Sequence, residues 1–166
     1  MRFLCKIKEV ELLEPLNAAV RQCLDHKHPY VRRNAILAVN SIFRAFDYLI
    51  PDAPELIFEK FIAGGQEADP LCIRNAMAML SGCQPDLITA YLKERYAVVA
   101  VFDAEVQLVC LEHVRRHMTD DPSLSFEIYR QLLNSSTPSV KYEAAVSVLR
   151  TLHDHPESST IAGEVL

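Results

Sequence analysis

The 166-residue sequence has no tryptophan and only 4 glycines. Few glycines leave few sites for positive-φ turns, which disfavours a β-rich or loop-rich fold. No run of 18 consecutive apolar residues occurs, and no basic stretch leading into a short apolar run opens the chain. Neither a membrane-spanning helix nor a secretory leader is therefore expected. The five cysteines are odd in number and include no C-x-x-C pair. Cys23, Cys72 and Cys110 fall in apolar helical stretches, so buried free thiols in a reducing compartment are expected. Glycine-rich phosphate loops, dinucleotide fingerprints and nucleophile elbows are also missing.

An excess of positive charge is lacking too: the net charge is −5, whereas a general nucleic-acid binder carries a basic surface. The balance is uneven along the chain. Residues 1–46 hold eight Lys/Arg against four Asp/Glu, and the remainder nine against eighteen, giving +4 and −9. A basic end on an acidic rod could face a membrane surface or an acidic partner. A chance distribution on solvated helix faces explains it equally well.

What is present is helical punctuation. Half of the residues are hydrophobic, and the nine prolines sit mostly between apolar runs. One helix opening recurs, as Val31-Arg32-Arg33-Asn34-Ala35, Cys72-Ile73-Arg74-Asn75-Ala76 and Val140-Lys141-Tyr142-Glu143-Ala144. Each follows a proline (Pro29, Pro70, Pro138), which suits a first turn because it has no N–H to leave orphaned. Asp69 and Thr137 are expected N-caps, and the alanines mark close approach between helices. Between the openings run shorter amphipathic helices, with Leu13, Leu16, Val20 and Leu24 first and Ile57 and Phe61 after Pro54, stopped by Gly64-Gly65. Leu87, Ile88, Tyr91 and Leu92 mark the next, then Phe126, Tyr129 and Leu133. Their partners carry Ala35, Ala38 and Ile42; Ala76, Met77 and Leu80; Val106, Cys110 and Val114; and Ala144, Val148 and Leu152.

The steps from Ala35 to Ala76, Cys110 and Ala144 are 41, 34 and 34 residues. Two helices per repeat of that length predict an all-α, HEAT-like α-solenoid. Four helix pairs are expected, at approximately 12–46, 54–82, 85–118 and 122–154, in a single solenoid fragment with partial helices at both ends. Arg2-Phe3-Leu4-Cys5-Lys6 reads as mid-helix, and a further helix is expected near Ser158.

Candidate chemistry is thin. His113 and His117 share a helix face, but two arginines stand among the residues between them, no Glu follows His113, and no third ligand is evident. His26/His28 and His153/His155 are read as solvent-facing loop residues. Cys110 with His113 and Asp103 supplies the residue types of a thiol nucleophile, yet Cys110 sits at an apolar helix position with no oxyanion-binding turn. No catalytic, cofactor or metal residue is assigned, and no enzymatic activity is expected. The basic set Arg21, Lys27, Arg32, Arg33 and Arg44 attracts most interest. Arg32 begins a helix, where its charge opposes the macrodipole. A bridge to an acid of the next repeat is the leading explanation, and contact with an acidic partner or lipid headgroup the second.

The run Arg2-Phe3-Leu4-Cys5-Lys6-Ile7-Lys8-Glu9 through Glu11-Leu12-Leu13-Glu14-Pro15-Leu16 resembles the adaptin-like trunk of the coatomer beta family. So do His28-Pro29-Tyr30-Val31-Arg32-Arg33-Asn34-Ala35, Leu49-Ile50-Pro51-Asp52-Ala53-Pro54-Glu55-Leu56 and Pro138-Ser139-Val140-Lys141-Tyr142-Glu143-Ala144-Ala145. The resemblance runs in order along the chain and is weakest over residues 84–120. The Val-Arg-Arg-Asn-Ala run is shared with adaptor beta chains, whereas Ile-Pro-Asp-Ala-Pro-Glu-Leu is more specific.

The resemblance implies a non-enzymatic scaffold subunit of the COPI coat, cytoplasmic and peripheral on Golgi membranes and coated vesicles. It implies assembly with other coatomer subunits, recruitment by an Arf-type GTPase in its GTP form, and service in Golgi-to-ER and intra-Golgi transport. In related adaptor chains early trunk helices hold the GTPase, so only the edge of that site, near residues 2–9, is expected here. Two alternatives stand beside it: a clathrin-adaptor beta-type trunk, and a HEAT-like DNA glycosylase, which would need a basic groove and aromatics for a displaced base.

Overall fold

In a computed structural model, the residues described are 10–151 and Gly163. Cys5, Arg2–Lys6, Leu152, the His153/His155 pair and the helix expected near Ser158 lie outside the described residues. No strand occurs among the described residues. The helices are α1 (Val10–Leu13), α2 (Asn17–Leu24), α3 (Pro29–Ala45), α4 (Ala53–Phe58), α5 (Pro70–Cys83), α6 (Pro85–Arg95), α7 (Ala104–His117), α8 (Pro122–Leu133) and α9 (Pro138–Thr151). The chain divides into two compact units between Gln84 and Pro85.

In the first unit, α2 packs on α3, α4 on α5, and α3 on α5. The three recurring openings begin helices at Pro29, Pro70 and Pro138, as the sequence predicts. Asp69 caps α5, its carboxylate accepting from the Cys72 N–H at 2.9 Å. His28, not foreseen as a cap, accepts from the Tyr30 N–H through Nδ1 at 3.2 Å. Thr137 receives the Val140 and Lys141 N–H groups on its backbone carbonyl. Ala35 and Ala76 are wholly buried where α3 meets α5. There the Asn75 side chain reaches the Arg33 carbonyl at 3.5 Å, and the Cys72 thiol lies 3.6 Å from the Pro29 carbonyl. Such approach needs small side chains at the crossing, because larger ones would force the helices apart.

Two local departures from regular helix have visible causes. Pro15 lies in a short 3₁₀ segment, Glu14–Leu16, which separates α1 from α2. After α4 the chain widens into a π-helical turn, Glu59–Ala63, ended where the Gly64 N–H meets the Glu59 carbonyl at 3.1 Å. A Cβ on Gly64 would lie 2.9 Å from that oxygen, and Gly65 has φ +61, so this stop depends on both glycines.

In the second unit, α6 packs on α7, α7 on α9 and α8 on α9. A 3₁₀ strap, Tyr96–Val101, joins α6 toward α7 and lies against α8. Ile88, Leu92, Cys110, Val114, Ala144 and Val148 form its core, and each fully buried aliphatic chain contributes roughly 1.5–3 kcal/mol.

Candidate interaction surface

The arginines behave as repeat connectors. Arg32 donates from Nε and Nη2 to both Glu67 oxygens at 2.7 Å, and from Nη1 to the His26 and Lys27 carbonyls at 2.8 and 3.0 Å. Its charge is thereby drawn off the axis of α3, which resolves the conflict with the macrodipole. Arg33 grips Asp69 through both carboxylate oxygens, and Arg21 grips Asp52 in the same way. Lys60 pairs with Asp25. The Arg32 and Arg33 partners lie 35 and 36 residues downstream, about one repeat away. Fork-to-fork pairing fixes orientation as well as charge, so each contact sets the register of a repeat on its neighbour.

Asp69 has two duties, capping α5 and receiving Arg33. The guanidinium first, and then the Cys72 N–H, hold its carboxyl down at about 2. Because this folded value lies below the ordinary 3.8, its stabilising contribution is complete above pH 4 and is lost as pH falls toward 2. Glu67 is also held below its usual range: burial is the largest influence and pushes it up, but the Arg32 hydrogen bond, the Asp69 N–H and the Arg32 charge together outweigh it.

An open groove of about 640 Å³ lies beside this ladder, between the end of α2 and the π-helical turn. Leu24, Leu56 and Phe61 line it with Lys27, Lys60 and Glu59. Lys27 and Arg44 are exposed. They are the members of the basic set with no described ion-pair partner, whereas Arg21, Arg32 and Arg33 have their charge spent inside the chain.

The residue types considered for chemistry are not assembled into a site. Cys110 is buried and its thiol is pushed up by burial to about 12, far from a thiolate. His113 is wholly buried and its Nε2 lies 2.9 Å from the Thr89 hydroxyl, a tie between α6 and α7. Burial first, then the ring of His117 with its centroid 5.0 Å away, brings its pKa down to about 4. Asp103 stands exposed at the start of α7. Among the described residues no group of three or more His, Cys, Asp or Glu could hold a metal ion. No described helix is long and apolar enough to cross a membrane.

Sequence reasoning anticipated acids of the next repeat as partners for the arginines but did not identify them as Glu67 and Asp69. It also missed Gln107, a buried side chain that binds the strap. Its Nε2 donates to the carbonyls of Val99, Ala100 and Phe102 at 3.3, 2.7 and 2.8 Å, and its Oε1 accepts from the Ser135 hydroxyl at 2.6 Å.

Successive helix pairs, joined in the first unit by side chains about one repeat apart, define a helical-solenoid fold. The chain belongs to the adaptin N-terminal region family, whose model matches residues 1–166. It is similar to coatomer subunit beta of Pongo abelii, 45% identical over 167 residues, which is 99% of this chain and 17% of that relative. The same protein of Dictyostelium discoideum is 44% identical over 90% of this chain and 16% of the relative. That of Schizosaccharomyces pombe is 40% identical over 100% of this chain and 18% of the relative. The chain thus spans less than one fifth of the length of the curated relatives it matches.

Proposed function

We propose that this chain is a scaffold segment of a COPI-type coat subunit, acting in vesicle transport by protein–protein contact and carrying no reaction of its own. The observation that carries the reading is 40–45% identity to coatomer subunit beta along nearly the whole chain, from animals, an amoeba and a yeast. The ladder of Arg21, Arg32 and Arg33 supports it, because a scaffold must hold its repeats in fixed register. In this reading residues 12–46, 54–82, 85–118 and 122–154 are four pairs of one solenoid. The whole subunit binds the other coatomer subunits and is brought to Golgi membranes by an Arf-type GTPase in its GTP form. It then serves Golgi-to-ER and intra-Golgi transport from the cytoplasm. Binding in such assemblies is concentrated in a few anchors.

The test is affinity purification of the tagged full-length subunit from cytosol, with identification of what comes with it. Recovery of the other coatomer subunits in near-equal amounts is expected. Recovery of clathrin-adaptor chains, or of no stable partner, would overturn the reading. GTPase-loaded Golgi-like liposomes test recruitment separately, with binding expected only when the GTPase carries GTP.

A further inference from the structure

The strap Tyr96–Val101 is unusual within the second unit. Val99 anchors it and is wholly buried, while Val98 and Val101 are 45% and 80% exposed. A 3₁₀ helix has three residues per turn, so Val98 and Val101 stack on one face and present a single apolar knuckle to water. Gln107 holds three backbone carbonyls at or just after this segment, Val99, Ala100 and Phe102, so the knuckle is fixed by a buried side chain. A rigidly presented surface loses little conformational entropy on binding.

Charge that follows the knuckle closely in sequence is also unspent. Four aspartates stand at helix N-caps: Asp52, Asp69, Asp103 and Asp121. Asp69 and Asp121 accept backbone N–H groups, and Asp52 receives Arg21. Asp103 makes no side-chain cap bond, and neither it nor Glu105 two residues on has a described ion-pair partner. Both residues are exposed. Single exposed apolar residues are ordinary on a protein surface, but two stacked valines followed closely by two unspent carboxylates are a combination that a complementary partner can use.

We propose that Val98 and Val101, with the carboxylates of Asp103 and Glu105, form a docking surface for a basic amphipathic segment of a partner protein. The apolar face of that segment covers the valines and its Lys or Arg side chains meet the two acids. This goes beyond the coat reading and does not depend on it.

The experiment measures binding of the full chain to a labelled short amphipathic peptide of Leu and Lys, by fluorescence anisotropy at low and physiological salt. A Leu/Glu peptide of the same pattern is the control, and phosphatidylserine and phosphatidylcholine vesicles are run alongside. The Leu/Lys peptide is expected to bind, and the Leu/Glu peptide to bind at least about tenfold more weakly. Val101→Asp should weaken the Leu/Lys peptide about tenfold, and Asp103→Lys with Glu105→Lys by a similar factor that shrinks with salt. All three positions are exposed, so the thermal transition should not move, and a variant that does shift it is replaced by Val98→Ser. Equal binding of both peptides, or indifference to these substitutions, overturns the proposal. Vesicle binding that Val101→Asp abolishes, with no peptide binding, overturns it in favour of a membrane contact.

Discussion

In the first unit, three arginines on α2 and α3 reach acids about one repeat further on, in bidentate, part-exposed pairs. In the second unit the strongest charged pairs stay within one helix, as Arg115–Glu112, Arg116–Glu112 and Arg130–Glu127 do. Charged contacts between its helices are long, with Lys93–Asp121 and Arg115–Glu143 both at 3.9 Å. There the close polar crossings are neutral and buried: Gln107 to the strap and Ser135, and Thr89 to His113. Two solutions to one problem follow. Charged forks hold register and respond to salt, at a desolvation cost where the acid is as covered as Glu67, whereas buried neutral bonds ignore salt but leave orphaned groups when one partner is removed.

The sharpest way to break the contrast is Gln107→Leu, which strands three carbonyls and the Ser135 hydroxyl. A loss of about 2–4 kcal/mol in urea unfolding is expected, with hydrogen-exchange protection falling first over residues 96–117 and last over 17–45. Equal loss in both units would mean that they unfold as one.

Next in size is a pH effect confined to the second unit. His113 is neutral in the fold, with its pKa lowered from 6.5 to about 4, so the unfolded chain binds the proton more readily. Stability should therefore be full above pH 6.5, decline as pH falls, and level off below pH 4, by roughly 3 kcal/mol in all. His113→Gln should flatten that slope between pH 4 and 6.5 while leaving the first unit's exchange unchanged.

In the first unit Asp69→Ala removes both a cap and a receiver for Arg33, and should cost about 1–2 kcal/mol. Asp69→Asn keeps a capping oxygen and should cost less. The gap between the wild type and Asp69→Asn should narrow in high salt, when read by thermal unfolding, because only the charged pair is screened. Smallest of all, Arg130→Ala removes an exposed pair within α8 and should change stability by less than about 0.5 kcal/mol. A larger loss would mean that the second unit relies on surface charge after all.

Much of this fold is legible in the sequence alone. Proline followed by a small or basic opening marks the starts of α3, α5 and α9, because that pattern encodes first-turn geometry locally. The buried faces of α2, α5 and α8 follow from 3–4 spacing. Val31 and Ile73, in the first turns of α3 and α5, are only half-buried, whereas Val140 in the first turn of α9 is wholly buried. Cys110 is legible in the sequence as a buried core thiol from its apolar helix position, whereas the burial of His113 is not, since it depends on Thr89 from another helix.

By itself the sequence determined that this chain is helical, where its helices start, that it repeats, and which family it belongs to, because caps, proline and apolar period act over a few neighbouring residues. Tertiary structure alone decided that Arg32 belongs to Glu67 and Arg33 to Asp69, that Gln107 gathers three carbonyls, and that Val101 is left in water. These outcomes depend on which atoms meet after some 35 residues of chain have folded back, and no local spacing rule carries that information.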